Sequence, residues 1–270
     1  SQRAGFYIGL YYGGTGFGIA LSALLVPAAL ATAQEHGAAH AWQWPWLALG
    51  CACLLATAVM ALPARAIGEA PRSKDAGRRF AWRDFAPSLA GYFMFGVGYI
   101  GYMTFVIALL KQQGMSATLI TVFYTLLGLA VVASSRIWAR MLDRYKGGES
   151  LAILNGLLGV VTVLPALTSF APVVFLSGLV FGGVFLSVVA STTALVRHNL
   201  PQASWTAGIS AYTTVFALGQ IAGPIVVGWI ADGPAGLERG LIASAIALFI
   251  GAVLAARQKA LAPPVAGVHG

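Results

Sequence analysis

Charged side chains are scarce in this chain. Asp, Glu, Lys and Arg make up 9% of the residues, whereas the hydrophobic set makes up 59%. Soluble globular proteins carry about 25% charged residues, because charge covers their water-exposed surface. This shortage, with a mean hydropathy of +0.81, excludes an ordinary soluble domain and favours a membrane protein.

Residues for metal binding or catalysis are also missing where they would be needed. The only two cysteines, Cys51 and Cys53, lie two apart in one apolar stretch and face different sides of a helix, so neither a disulfide between them nor a shared metal is expected. No histidine lies within an apolar stretch, and the pair His36 and His40 falls short of a metal site. No G-x-x-x-x-G-K motif is present. The sequence predicts no metal, no cofactor and no ATP-driven site.

Long apolar stretches are what the chain has instead. Each is long enough to cross a hydrocarbon core of roughly 30 Å as a helix. They are continuously apolar rather than alternating, which argues against transmembrane strands. The sequence therefore predicts an all-α polytopic membrane protein with eight transmembrane helices. The stretches cover residues 6–30, 44–63, 85–110, 117–138, 150–167, 172–195, 205–230 and 240–256.

The basic residues lie on one side of these stretches. If the first stretch runs from inside to outside, the outer connections hold only Lys111 and Arg239, and the other 14 of the 16 Lys and Arg residues lie in the inner ones. A membrane orients its spans by cytoplasmic Lys and Arg. We therefore expect a multi-pass protein in the lipid bilayer with both termini cytoplasmic. Orientation also explains the net charge of +8, so nucleic acid is not an expected partner.

The connections suggest how the spans are grouped. The longest, 64–84, separates two spans in 1–63 from six in 85–258. The later loops are short, so consecutive helices should pack as antiparallel neighbours in one six-helix bundle. Residues 259–270 contain proline and no helical periodicity, which predicts a disordered cytoplasmic tail. The two leading spans lack matching partners, and the chain starts at Ser1. We expect it to be the C-terminal part of a longer protein.

Glycines are spaced for close helix packing. In lipid, helices associate where small residues four apart let their backbones approach. Pro224 lies in the same predicted helix as Gly219 and Gly223, and a proline inside a helix is expected to kink it. The predicted packing pairs are Gly9 with Gly13, Gly14 with Gly18, and Gly219 with Gly223.

Three segments resemble a known transporter family. Residues 136–148, RIWARMLDRYKGG, resemble the G-x-x-x-D-R-x-G-x-R signature of the major facilitator superfamily. Asp143 and Arg144 match its Asp-Arg pair, whereas Ala139 replaces its first glycine and Gly147 is displaced by one position. The segment from Gly219 to Pro224 resembles the eleventh helix of that superfamily. Residues 9–27 are similar to the fifth helix of its bacterial YbfB/YjiJ-like branch.

This resemblance implies an architecture and an activity. The eight spans would correspond to helices 5–12 of a twelve-helix fold, lacking about the first four. The loop 64–84 would be the cytoplasmic loop between two halves, which rock around a midplane site in alternating access. The protein would be a secondary active transporter of the bacterial inner, or plasma, membrane. A gating cluster would dock on the inner end of the span that begins near Phe6. Its members would be Arg136, Arg140, Asp143 and Arg144. The alternative is a basic loop that fixes topology, with Asp143 capping a helix.

No charged residue lies near the middle of any span, where proton relays and ion paths need one. A coupling proton, if used, is expected to pass through the missing half. Aromatic and neutral polar residues are present instead, and Pro224 frees the carbonyl of Gln220 at membrane depth. They indicate a small neutral, aromatic or amphiphilic solute, although each could equally be a packing residue. The candidates are Tyr99, Tyr102, Tyr212, Phe216 and Gln220, with Tyr124 and Ser187 added by the resemblance.

Two other classes of function compete with a transporter. A membrane-embedded enzyme would need a nucleophile, an acid–base pair or a metal cluster within the spans, and no histidine lies within a span. We therefore do not expect an enzyme. A non-transporting assembly partner of another membrane protein stays open.

Overall fold

The described part of the chain is helical. The computed structural model describes residues 4–66 and 80–261. For residues 4–13, 66 and 135 it describes the backbone but not the side-chain environment. Within these ranges there are nine α-helices and no strand. They are α1 Ala4–Glu35, α2 Gln43–Ala66, α3 Ala86–Gln112, α4 Ala117–Ile137, α5 Ala139–Arg144, α6 Glu149–Leu167, α7 Ala171–Asn199, α8 Trp205–Ala231 and α9 Gly236–Ala256. Short 3-10 helices, Trp82–Phe85 and Gln202–Ser204, precede α3 and α8.

Eight helical segments in these ranges are long and apolar enough to cross a membrane. The prediction of an all-α membrane protein with eight spans is therefore confirmed. Some helix ends differ from the predicted ones: α1 continues past residue 30 to Glu35, and α7 continues past residue 195 to Asn199. Its last turn carries Arg197 and His198. The positive charge of Arg197 is favourable at the carbonyl end of a helix. Asn199 Nδ2 also donates to the Leu195 carbonyl (2.8 Å).

Helix α3 is the centre of the six-helix unit. It packs most extensively on α9, and also on α8 and α6, while α6 packs on α9 and α7, and α4 packs on α7. Consecutive helices were expected to be neighbours, and α6 with α7 and α8 with α9 are. In contrast, α3 and α4 touch only slightly. Short loops limit how far apart helix ends lie, but close backbone contacts decide which faces pack.

One such contact joins α3, α6 and α9. A Cβ on Gly91 would lie 2.8 Å from the Gly251 carbonyl oxygen, and a Cβ on Gly251 would lie 2.9 Å from that of Gly91. Asn155 of α6 donates from Nδ2 to the Gly91 carbonyl at 3.3 Å. Only glycine allows two helix backbones to come so close.

Helix α1 lies against α4, and α2 packs on α1. The contact with α4 uses Gly16, whose Cβ would lie 2.6 Å from the Gly128 carbonyl oxygen. Among the described residues no neighbour packs on Gly14 or Gly18, because a Cβ on either meets nothing within 4 Å. The packing predicted for these two glycines therefore stays a prediction. Both point away from α4. Gly9 and Gly13 lie outside the residues whose surroundings are described.

The helices alternate in direction, so the described basic residues gather at one end. This basic end is where α3, α6 and α8 begin and α7 and α9 finish; it includes Arg83, Arg144, Arg197 and Arg257, whereas Lys111 and Arg239 lie at the other end. Most of the predicted inter-half loop (67–79) and of the predicted tail (262–270) is outside the description. The described part of that tail is packed, because the Leu261 N–H donates to Asn199 Oδ1 at 2.6 Å.

Candidate functional site

Aromatic rings from α3, α7, α8 and the segment just before α3 contact one another, stacked or edge to face, in a continuous series here called the aromatic column. On α3, Phe95 and Tyr99 stack with ring centroids 4.9 Å apart. Each aromatic pair of this kind contributes about 0.5–1.5 kcal/mol beyond its buried area. The column starts near the basic end and runs past mid-depth. In order it contains Phe80, Phe85, Tyr212, Tyr92, Phe216, Phe95, Tyr99, Phe185, Phe181 and Tyr102.

Glycines bring α8 close enough to α3 for these rings to meet. A Cβ on Gly219 would lie 2.4 Å from the Phe93 carbonyl oxygen, and a Cβ on Gly96 would lie 2.8 Å from that of Phe216. Gly223 meets α3 one turn further on, where a Cβ on Gly223 would lie 2.7 Å from the Val97 carbonyl oxygen. The structure therefore places Gly219 and Gly223 at a helix–helix contact, beside the column.

The centre of the column carries one polar pair. Gln220 of α8 donates from Nε2 to the hydroxyl oxygen of Tyr99. Tyr99 lies at the midpoint of α3, and Gln220 lies close to the midpoint of α8. The Tyr99 ring stacks on Phe185 of α7 (5.1 Å) and on Phe216 of α8 (5.5 Å). Three helices therefore contribute to one neutral site at mid-depth.

This site is open on one side. Tyr99 is 6% exposed, whereas Phe216 and Gln220 are partly buried and their neighbours Thr213 and Ala217 are exposed. Because Gln220 Nε2 already donates to Tyr99, the pair still offers the Tyr99 O–H as a donor and Gln220 Oε1 as an acceptor. Flat aromatic walls with one donor and one acceptor suit a planar, uncharged molecule.

Two other candidate tyrosines belong to the column, but their hydroxyls are already used. Tyr102 is fully buried, stacks on Phe181 at 4.1 Å and hydrogen-bonds Ser177 Oγ at 2.8 Å. Tyr212 is buried, and its hydroxyl bonds to Ser88 Oγ. In this conformation neither offers a free polar group to a solute.

Ser187 and Tyr124 are not brought into the column. Ser187 of α7 is fully buried and donates to the Ser134 carbonyl of α4 at 2.9 Å, and its Oγ lies 2.8 Å from Ser134 Oγ. Ser187 therefore lies in the contact between α7 and α4, in line with the alternative that it is a packing residue. Tyr124 is partly buried on α4 and packs against the hydrophobic core.

The predicted gating residues lie at the basic end. Arg136, Arg140, Asp143 and Arg144 are all exposed. Asp143 lies in the last turn of α5, and α6 has Gly148 at its N-cap without a side-chain cap. The alternative that Asp143 caps the next helix is therefore wrong.

The segment that contains Asp143 is hydrogen-bonded to α7. His198 Nε2 donates to the Leu142 carbonyl (3.2 Å), and Trp138 Nε1 donates to the Gly183 carbonyl (2.8 Å). The α1 side chains to which the gating cluster was expected to dock lie outside the description.

The described ranges contain no group of three or more His, Cys, Asp or Glu side chains that could hold a metal ion. His36, one of the two loop histidines, stacks on Trp44 at 6.0 Å, and its Nδ1 donates to the Thr32 carbonyl. Cys51 and Cys53 are exposed thiols.

Sequence reasoning missed two members of the site. Phe95 lies three residues after Tyr92 and four before Tyr99, so the helical spacing of α3 could have placed it on the same face. Phe185 had no such signal. Helix α7 carries phenylalanines at 175, 181 and 185, and only the packing shows which of these rings meets Tyr99.

Eight membrane-length helices, with a neutral polar pair at the mid-depth of two of them, fit a polytopic membrane transporter. The family described as "Uncharacterised MFS-type transporter YbfB" matches residues 1–256. The chain therefore belongs to this YbfB-type family of major facilitator superfamily transporters. No curated protein and no solved structure matched the chain. The expected resemblance is confirmed, and the bilayer and a small solute are the partners that such a transporter has.

Proposed function

We propose that this chain is part of a transporter that moves a small neutral, aromatic or amphiphilic solute by alternating access, and that the solute binds at Tyr99, Phe216 and Gln220. The observation that carries the proposal is the hydrogen bond from Gln220 to Tyr99 at mid-depth, within stacked rings. Burying a polar group between apolar helices costs free energy unless all its donors and acceptors are hydrogen-bonded. This pair retains one donor and one acceptor on the side where α8 is exposed.

The absence of charge selects the solute class. All eight acidic residues of the chain lie outside the middle of the spans. A charged solute would need a counter-charge at membrane depth, since an unpaired ion in that environment is expensive. A neutral solute needs only the donor and acceptor that the site offers. Proton coupling would then have to use an acid outside these spans.

The basic end supports an orientation. Lys and Arg residues of inner connections face the cytoplasm in multi-pass proteins. We propose that the basic end faces the cytoplasm of a bacterial cell, so that both ends of the chain lie inside. Asp143 and the arginines around it would then form an inner gate.

Ligand-dependent thermal stability tests the site without a transport assay. The full-length protein in detergent is heated with benzamide or benzyl alcohol, and with their charged counterparts benzoate and benzylamine. A ligand that binds the native state raises stability by about 2.7 kcal/mol at a concentration of 100 times Kd. We expect the neutral compounds to raise Tm and the charged compounds to have little effect.

Two variants make this measurement specific. Gln220→Leu should abolish the shift by benzamide, because a site built around a hydrogen bond discriminates strongly against its loss. Gln113→Leu is the matched control, because Gln113 lies at the far end of α3 and bonds to the Pro165 carbonyl (2.9 Å). Stabilisation by benzoate alone, or an undiminished benzamide shift in Gln220→Leu, would contradict the proposed site.

Alternating access is tested at the open side of the site. Ala217→Cys, with Cys51 and Cys53 replaced by Ser, is labelled in sealed vesicles by an impermeant maleimide from each face in turn. A transporter should be labelled from both faces, at rates that a bound neutral solute changes in opposite directions. An assembly partner without transport should show no access from either face.

A further inference from the structure

Residues 257–261, directly after α9, cross the basic end of the bundle and are here called the strap. Gln258 is only 4% exposed, which is unusual for a glutamine beyond the end of a helix. Its side-chain amide is fully paired. Oε1 accepts from Ser88 Oγ (2.9 Å), and Nε2 donates to the carbonyls of Asp84 (3.0 Å) and Lys259 (2.9 Å).

The strap bonds to other helices as well. The Gln258 carbonyl accepts from the Gly148 N–H at the start of α6 (2.9 Å). The Leu261 N–H donates to Asn199 Oδ1 at the end of α7 (2.6 Å), and Asn199 Nδ2 donates to the Lys146 carbonyl (2.7 Å). Gly148 fits so closely that a Cβ there would lie 2.0 Å from the Ala255 carbonyl oxygen. One short segment therefore ties the ends of α3, α6 and α7 together.

A relay leads from the strap to the aromatic column. Ser88 has a single hydroxyl hydrogen, and two groups that can only accept it, Gln258 Oε1 and the Phe85 carbonyl, both lie 2.9 Å from its Oγ. In either case the Tyr212 hydroxyl is the donor to Ser88 Oγ. The Ser88 N–H also donates to Gln258 Oε1 at 3.4 Å. The Tyr212 ring meets Tyr92 at 5.8 Å, and Tyr92 stacks on Phe216 at 5.1 Å. Gln258 is thus connected, through Ser88 and Tyr212, to the part of α8 that carries the proposed solute site.

We infer that the strap locks the basic end of the six-helix unit closed, and that Gln258 is the positioning residue that holds Tyr212 of α8 in place through Ser88. Opening this end moves the first turns of α8 away from the start of α3, which breaks the bond between Tyr212 and Ser88. An opened end would leave the buried Tyr212 hydroxyl without its Ser88 partner, and a buried polar group without a partner is destabilising. The lock therefore biases the protein toward the conformation seen here.

Thiol accessibility tests the lock and needs no solute, so its result is read separately from that of the proposed function. The reporter is Ala211→Cys, next to Tyr212 and only 4% exposed, in full-length protein whose Cys51 and Cys53 are replaced by Ser. The reference is Val174→Cys, which is fully buried at the opposite end of α7. The labelling rate by a maleimide is measured in permeabilised vesicles.

We expect Gln258→Met to raise the labelling rate at position 211 by roughly threefold to tenfold, the range set by losing one or two buried neutral hydrogen bonds. Labelling at position 174 should not change. The matched control is Gln202→Met, because Gln202 lies at the same end and is exposed. An unchanged rate at position 211, or an equal rise at position 174, would overturn the inference.

The other end of the relay provides a second variant. Tyr212→Phe removes only the hydroxyl and should raise labelling at position 211 in the same way, even if Gln258→Met does not fold. In the double variant the two effects should not add, because both break one chain of hydrogen bonds. Additive effects, or no effect of Tyr212→Phe, would show that Gln258 does not act through Tyr212.

Discussion

Gly16 of α1 and Gly128 of α4 bring two helix backbones into direct contact. A Cβ on Gly16 would lie 2.6 Å from the Gly128 carbonyl oxygen, and a Cβ on Gly128 would lie 2.5 Å from the Ala20 nitrogen. The crossing is near the middle of both helices. It joins the first part of the chain to the six-helix unit without any bulky side chain between the backbones, so a single added methyl group should be felt there.

We predict that Gly16→Ala destabilises the protein by about 1–3 kcal/mol, because the added methyl group overpacks a backbone contact that cannot relax. The measurement is thermal unfolding in detergent. Gly18→Ala is the matched control in the same helix, since a Cβ there meets nothing within 4 Å. It should be neutral or gain up to about 1 kcal/mol from helix propensity. Equal losses in both variants would contradict the assigned crossing point.

A second prediction concerns Thr162 of α6, which is fully buried and whose hydroxyl has no hydrogen-bond partner among the described residues. Thr162→Val replaces that hydroxyl by a methyl group of similar size. We expect a gain of about 1 kcal/mol in the free energy of unfolding, because an unsatisfied buried hydroxyl is removed.

The contrast for this variant is Ser177→Ala on the neighbouring helix α7. Ser177 Oγ donates to the Val161 carbonyl (2.6 Å) and bonds the Tyr102 hydroxyl (2.8 Å). Its removal leaves a buried tyrosine hydroxyl unpaired, which should cost about 1–3 kcal/mol. The prediction fails if Thr162→Val loses stability as Ser177→Ala does.

A third prediction separates a gate from a purely structural loop at Asp143. This side chain is exposed, so Asp143→Asn should leave abundance and Tm unchanged. If Asp143 stabilises one state of a gate through helix-end charges, the labelling ratio of Ala217→Cys from the two faces should shift by about twofold to fivefold. Glu149→Gln, an exposed acid at the same end, is the control. A fall in abundance with an unchanged ratio would instead favour the assembly-partner hypothesis.

A fourth prediction concerns the turn between α8 and α9. Ala235 has φ of 51°, in the left-handed region, where a residue with a Cβ is strained by roughly 1–2 kcal/mol. We expect Ala235→Gly to stabilise the protein by about 1 kcal/mol in thermal unfolding. Ala217→Gly, at an exposed position in the interior of α8, should destabilise it by a similar amount. The same sign for both variants would argue against the left-handed turn.

Several site residues could be predicted from helical spacing alone. Tyr212, Phe216 and Gln220 repeat every four residues and do share a face toward α3. Tyr99 was predicted in the same way. Ser187 was selected by resemblance, and the structure instead pairs it with Ser134 of α4, because a small hydroxyl can serve either role. Its contact with a solute stays untested, as do those of the other candidates.

The packing faces were harder to predict than the spans. Helices that are apolar on every side show little amphipathic period, so the sequence contains no signal for which face meets protein and which meets lipid. Gly14, Gly16 and Gly18 look alike in sequence, yet only Gly16 meets another helix in the described residues. The correspondence of the eight spans to helices 5–12 of a twelve-helix fold stays an expectation from the resemblance.

By itself, the sequence determined that this is a membrane protein of eight apolar helices with its basic residues on one side. Hydropathy and charge are properties of composition along the chain, and a membrane acts on them segment by segment. Only the tertiary structure decided that α3 packs on α9, that Gln220 bonds Tyr99, and that Gln258 bonds Ser88 at the start of α3. These relationships join residues more than a hundred positions apart, and they depend on steric fit between helices that local sequence does not encode.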